Sequence, residues 1–403
     1  MRLLARGVQF WQDHGARATY RATLRKLRLS VPSLNRRSSN TSPLPYSYAC
    51  GRIPFKHGAE SINAPGFHKR VNWVIPNFHV SSGGMRTIFR AALALEQAGY
   101  EVHFYLFGDT HYVSGSEAAE AIRTFYPLKA AAHLGVADML PAEFCLATSW
   151  MTAYPLRDFA ACRRKIYYVQ DEESLFHPES SGKMLAEETY RFGFECVCAG
   201  RWLAQRMRDY GNHAVPFELA YDPEVYFPGT ELPQRKRVVF YSRYQTARRG
   251  VELGLLALTL LKAKHPDVEV VLFGADEMPF DLPFDYTLAG VLKLQDLPDL
   301  YRTATVGLSI SLTNYSLVPQ EMLACGLPVV EVNHPSLQAA YPTSSPAIRL
   351  AHPTPERLAD ALSEVITLPL DEVQPTRQEA ARLVSHLSWQ NADRVLLDFL
   401  ASA

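Results

Sequence analysis

Runs that are apolar at nearly every position, each followed by a stretch of helical periodicity, recur through most of this chain, and they recur in two sets. The first set is VNWVIP (71–76), EVHFYLF (101–107), EFCLATS (143–149), KIYYVQ (165–170) and ECVCA (195–199). The second is RVVFYS (237–242), VEVVLFG (268–274), ATVGLSIS (304–311) and LPVVEV (327–332). Strands without polar alternation are covered on both faces, which is the mark of a parallel sheet in a layered α/β structure. The segments between them have the period of helices: MRTIFRAALALEQAGY (85–100), LAEETYRFGF (185–194), VELGLLALTLLKAK (251–264), LPDLYRTA (297–304) and PERLADALSEVITL (355–368). The expected architecture is α/β, with two doubly wound domains over residues 46–215 and 216–385. Ligands of such sheets bind outside the carboxyl ends of the strands, so a cleft between the two domains is where chemistry is expected.

A length of 403 residues suits two domains of this kind. The formal net charge of zero hides an asymmetry. Residues 1–40 carry nine Arg or Lys and a single acid, Asp13, so this arm holds +8 and the remainder −8. Within the arm, Ala16, Tyr20, Leu24 and Leu27 share a helical face flanked by Arg21, Arg25 and Arg28, and Pro32, Pro43 and Pro45 mark a linker that ends near residue 45. Such a helix fits an anionic membrane surface, and equally fits packing on the body or on a second subunit in a homodimer formed through residues 1–30. No apolar run approaches the ~20 residues needed to span a bilayer, and Arg6 interrupts any leader-like segment. The six cysteines lie scattered in apolar surroundings without zinc-type spacing, and Cys196 and Cys198 face one side of a strand as small hydrophobes. These features suggest a reduced, cytoplasmic protein, peripheral at the inner face of the membrane if the arm binds there. Nucleic acid is not an expected partner, because no aromatic-rich basic sheet or helix-turn-helix pattern accompanies the arm.

Four stretches carry candidate chemistry. In PNFHVSSGGMRTIF (76–89) a strand ends, Gly83 and Gly84 allow close backbone approach, and a helix begins whose N-terminus attracts anions. Arg86, inside its first turn, opposes the helix dipole unless it meets an anion. In VVFYSRYQTARRG (238–250) Arg243, Arg248 and Arg249 gather between a strand end and a helix start, as a diphosphate clamp would, although a charge run is more often a solvated loop. In TNYSLVPQEMLACGLPVV (313–330) the helix is expected to open at Gln320, with Glu321 in its first turn. Free amides around Asn314–Val318 would then hold phosphate oxygens, and Glu321 would either favour the helix dipole or accept the two hydroxyls of a ribose. In YYVQDEESLFHP (167–178) three consecutive acids point in alternating directions, so one polar residue facing the cleft is a better expectation than a metal site.

Taken together, these residues resemble the retaining glycosyltransferases of the GT-B fold, and most nearly the bacterial rhamnosyltransferases of the WsaF type. The likeness runs from about Val71 to the end. It rests on Gly83-Gly84 after the first strand, on Arg243 and Arg249-Gly250 where the family has Arg and Lys-Gly, and on Glu321, Met322, Ala324, Gly326, Pro328 and Val329 in its E-A-x-A-x-G-x-P-V segment. Thr313 stands where the family has the first acid of a carboxylate pair, and Gln170-Asp171 where it has His-Asp. The resemblance implies two Rossmann-like domains facing a cleft, the first for the acceptor and the second for the nucleotide sugar, with the segment 386–403 crossing back as a helix onto the first. It implies a hexosyltransferase that moves rhamnose from a dTDP-sugar to a growing surface glycan, with a lipid-linked carrier as one form of acceptor, and without metal or cofactor. Arg243, Arg249, Gln170 and Asp171 would serve catalysis. Gly83, Gly84, Gly274, Val291, Thr313, Asn314, Tyr315, Ser316 and Glu321 would bind the donor. A catalytically silent scaffold of the same fold is the alternative that Thr313 allows.

Overall fold

The computed structural model describes residues 53–79 and 83–402; the basic arm of residues 1–45 read from the sequence lies outside them. The first sheet contains β1 (Arg70–Pro76), β2 (Glu101–Phe107), β3 (Ala131–Leu134), β4 (Ala142–Ala147), β5 (Cys162–Val169), β6 (Glu195–Ala199) and β7 (Ala214–Phe217), in the spatial order β3-β2-β1-β4-β5-β6-β7. The second contains β8 (Arg237–Tyr241), β9 (Glu269–Phe273), β10 (Thr287–Gly290), β11 (Val306–Leu308), β12 (Val329–Val332) and β13 (Ile348–Ala351), in the order β10-β9-β8-β11-β12-β13. Every pairing in both is parallel. The strand order reverses between β1 and β4 and again between β8 and β11. Loops leave such a switch point in opposite directions and open a crevice there.

Helices link the parallel strands. In the first half α1 (Gly83–Gln97) follows β1, α2 (Gly115–Arg123) follows β2, α3 (Trp150–Asp158) follows β4, α4 (Ser181–Glu188) follows β5 and α5 (Arg201–Asp209) follows β6. In the second, α6 (Val251–Lys264) follows β8, α7 (Leu297–Arg302) follows β10, α8 (Leu317–Ala324) follows β11, α9 (Pro335–Ala340) follows β12 and α10 (Pro355–Ile366) follows β13; α11 (Leu370–Val384) and α12 (Trp389–Ala401) come next. The central strands are buried on both faces, as their unbroken apolar runs require: Trp73, Val74, Tyr105 and Phe240 have no exposed surface. The described cysteines are free and buried among these apolar side chains.

Three details differ from the sequence-based expectation. The strands β3, β7, β10 and β13 are additional, and each is an outermost strand of four residues. The helix expected over 185–194 begins earlier, at Ser181, where the Ser180 hydroxyl accepts from the Lys183 amide, and gives way to a 3-10 turn at Thr189–Arg191 ahead of Gly193 (φ +72°). The helix expected from Gln320 opens at Leu317. Pro319 falls among the first amides of that helix, which have no intrahelical acceptor, so its missing N–H is no obstacle.

α12 lies against α1 and β7 of the first half. Arg164 of β5 fastens its end by donating to the carbonyls of Phe399, Leu400 and Ser402 at 3.1, 3.0 and 2.9 Å. Arg90 of α1 covers the ring of Trp389 at its start, 5.3 Å from the centroid. Among the described residues no helix is long and apolar enough to cross a membrane.

Candidate active site

A cavity of about 1040 Å³ opens where β8 and β9 end and α8 begins, and Gly83 and Arg86 at the start of α1 form its far wall. Its shape follows from where the strands stop. β9 gives way to Gly274, at φ +96°, where a Cβ would come within 2.6 Å of the Tyr241 ring. A glycine there keeps that ring flat on the wall. Val291, just past β10, lines the same cavity, and its amide donates to Asp276 at 2.9 Å. Arg243, two residues past β8, is exposed on the wall. Arg249 lies deeper: its guanidinium sits 5.7 Å from the centre of the Tyr241 ring and its Nη1 donates to the Ser311 hydroxyl at 3.3 Å.

Glu321 belongs to the second turn of α8, not the first, so the helix dipole does not account for it. It faces the cavity, half-buried, with the Tyr226 hydroxyl and Arg86 beside it. Burial pushes its pKa up to about 7, against the opposing pull of the Tyr226 hydroxyl and the Arg86 charge. Arg86 itself meets an anion, as a cation in a first helical turn should: Asp222, on the segment joining the two sheets, lies 3.6 Å away.

The remaining predicted residues gather in a second place, the seam between the carboxyl ends of the two sheets. Gln170 donates to the Gly84 carbonyl at 3.1 Å. Asp171 reaches across to Arg248, 3.4 Å away, which also stacks over Phe176 at 4.2 Å. Burial raises the Asp171 pKa to about 6, while Arg248 and the Thr313 hydroxyl beside it pull it down. The three acids of 171–173 serve three different partners. Glu172 forms a two-pronged pair with Arg206 at 2.9 Å, and Glu173 accepts from the Tyr167 hydroxyl and the Trp150 amide.

The structure separates Asn314, Tyr315 and Ser316 from the cavity to which the sequence assigned them. The Asn314 amide donates to the carbonyls of Gln170 and Ala199, both at 3.0 Å, and the Tyr315 hydroxyl accepts from the Leu219 amide at 3.2 Å, its ring pressed on Gly200. Ser316 is the buried N-cap residue of α8. These side chains join the halves of the molecule; sequence alone could not show which way the loop leans. Sequence reasoning left out Tyr241 and Tyr226; it raised Arg248 as part of a clamp and Arg86 as a cation in want of an anion, but carried neither into the site.

The cavity offers an anion Arg86 and Arg243, with Arg249 against its Tyr241 wall, together with the starts of α1 and α8. A carboxylate, Glu321, lines the same cavity. Comparison with known proteins agrees with the fold. Residues 236–363 match the model of the WsaF C-terminal domain. The O-antigen biosynthesis protein RfbC of Myxococcus xanthus is 31% identical over 360 residues, 84% of this chain and 28% of RfbC. A phosphatidyl-myo-inositol mannosyltransferase of Propionibacterium freudenreichii is 33% identical over 103 residues, 24% of this chain and 25% of that protein. The chain thus spans little more than a quarter of the length of these relatives. Among solved structures, Anabaena HepE in complex with UDP and glucose superposes with a TM-score of 0.65 at 14% identity, over 83% of this chain and 100% of that one. Sucrose-phosphate synthase of Thermosynechococcus elongatus gives 0.62 at 14% identity, over the same shares. The chain therefore has the GT-B fold, and residues 236–363 of its second half are similar to the WsaF C-terminal domain.

Proposed function

We propose that the chain is a metal-independent, retaining glycosyltransferase that moves a hexosyl unit, L-rhamnose, from dTDP-rhamnose to a hydroxyl of a growing surface glycan. The observation that carries this reading is the cavity itself, on which Arg243, Gly274 and Val291 from the ends of three strands and Glu321 from α8 converge, with Arg249 packed against its Tyr241 wall. Rhamnose is favoured by the resemblance to WsaF-type rhamnosyltransferases read from the sequence, and the RfbC relative favours O-antigen-like glycans as product. HepE, of the same fold, is described with UDP, so UDP-sugars are the competing donors to test. A lipid-linked acceptor, and contact of residues 1–45 with the inner face of a membrane, belong to the same proposal.

In this mechanism the glycosidic bond breaks and its electron pair stays on the diphosphate. Arg243, Arg249 and the first amides of α8 stabilise the charge that develops there. Glu321 accepts the ribose hydroxyls. The acceptor hydroxyl bonds to the anomeric carbon on the face the diphosphate leaves, as retention requires, and gives its proton to the departing phosphate oxygen, with Gln170 and Asp171 on the first-sheet side. Thr313, in the place of the family's first acid, is what a silent scaffold would show. Asp171 beside it brings a carboxylate from the other sheet to the same spot, which favours the enzyme.

Calorimetric titration with dTDP and UDP, followed by turnover on dTDP-, UDP- and GDP-sugars, tests the donor. Arg243→Ala is expected to reduce turnover by roughly 10–100-fold, the worth of a charge-assisted contact. A loss of less than a few-fold would remove Arg243 from the clamp, and no binding of either nucleotide would leave the scaffold.

A further inference from the structure

Behind Arg249 lies a carboxylate that the chemistry above does not use. Glu331 is the third residue of β12, with no exposed surface. A carboxylate is tolerated in the middle of a covered parallel strand when donors surround it. One oxygen, Oε2, accepts the backbone amides of Ser311 and Val332 at 3.1 and 3.0 Å. The other, Oε1, accepts the Ser311 hydroxyl at 2.9 Å. That hydroxyl in turn accepts from Arg249 Nη1 at 3.3 Å. A hydroxyl has one proton. Because Glu331 takes it, the lone pairs of Ser311 are left facing Arg249, whose other side lies over the Tyr241 ring of the cavity wall.

We propose that Glu331 is a positioning residue: acting through the Ser311 hydroxyl, it holds Arg249 in the orientation that meets the diphosphate of a nucleotide in the cavity. The proposal rests on the donor-binding reading above. The competing explanation is that Glu331 merely ties β12 to the loop after β11. Glutamine separates the two. Its oxygen must take the place of Oε2, where two backbone amides point, so its NH₂ faces the Ser311 hydroxyl. The hydroxyl then becomes an acceptor towards position 331, its proton is no longer held away from Arg249, and the charge that anchored it is gone. The fold keeps its backbone contacts and Arg249 loses its fixed acceptor.

The test titrates the full chain with dTDP and UDP, and with thymidine and uridine, which lack the diphosphate. Glu331→Gln and Ser311→Ala are each expected to weaken the diphosphates about 5–10-fold and leave the nucleosides unchanged. In an Arg249→Ala background the effect of Glu331→Gln is expected to disappear, because the two act as one unit. Equal weakening of diphosphate and nucleoside, full additivity with Arg249→Ala, or no change overturns the positioning role. Should Glu331→Gln fail to fold, Ser311→Ala with the same Arg249→Ala cycle decides alone. Failure of the wild-type chain to bind either diphosphate overturns the donor reading and this role with it; intact binding that is indifferent to Glu331 overturns this role by itself.

Discussion

A carboxylate that accepts two ribose hydroxyls has to be ionised when the nucleotide arrives, yet burial pushes the Glu321 pKa up to about 7. The sequence offered the start of a helix as a bland explanation for this residue, and the placement of α8 removes it. What remains is an acid that is neutral in mildly acidic solution and charged in mildly alkaline solution, on the wall of the cavity. Under the proposed role nucleotide affinity rises with pH across that value. Between pH 6 and 8 the ionised fraction of such a group grows roughly tenfold, and dTDP binding is expected to tighten by about the same factor. Glu321→Gln should flatten the profile. The terminal phosphate of dTDP titrates alike in both proteins, so the difference between the two curves isolates the carboxylate. Calorimetric Kd values at four or five pH points make the comparison, and parallel curves would take Glu321 out of ribose recognition.

At the scale of elements, what the sequence revealed depended on how completely each segment is covered. β1, β2, β8, β9 and β12 run inside their sheets and show as nearly continuous apolar strings. β3, β7, β10 and β13 are outermost, four residues long and half covered, so AAHL, AVPF, TLAG and IRLA carry no readable pattern. Arg243 and Glu321, raised from strand ends and helix starts, line the cavity, as do Gly274 and Val291, which only the resemblance suggested. Asn314 and Tyr315 were not legible, because a loop at a seam can lean either way, and Glu331 was not, because one acid in VVEV gives no hint of what lies behind it. The crossing of α12 was suggested by resemblance, and the structure supplies its fastening. Arg164 holds three terminal carbonyls and pairs with Glu195 at 2.8 Å. Arg164→Ala leaves those carbonyls and a half-covered carboxylate without their cation, and is expected to lower stability by roughly 1.5–3 kcal/mol. Urea unfolding measures this, and an unchanged midpoint would show that the helix is held by its apolar face alone.

Among its described residues the whole molecule carries five carboxylates whose pKa values burial pushes well up. Burial raises Asp171 and Asp393 to about 6, and Glu173, Glu321 and Glu331 to about 7. Each is above its value in the unfolded chain, near 4. Between about pH 4.5 and 7 the native state therefore binds more protons than the unfolded one, and stability falls as pH rises. The contribution of these groups is complete below their unfolded values and lost on passing through 6 to 7. Glu101, Glu269, Asp360 and Glu379 act in the opposite sense. Cation partners hold their pKa values down, so their contribution is present above the unfolded values and lost in acid. The raised set makes stability fall as pH passes through 6 to 7, opposed there by His133 and His334, whose pKa values burial lowers. A bound nucleotide that supplies donors to Glu321 and engages Arg249 offsets part of that fall, so the stabilisation by dTDP is expected to be larger at pH 8 than at pH 6. Thermal unfolding from pH 4 to 8, with and without dTDP, tests both statements. A midpoint that climbs steadily from pH 5 to 8 without ligand would mean that these carboxylates keep their ordinary pKa values and that the site is wetter than its burial indicates.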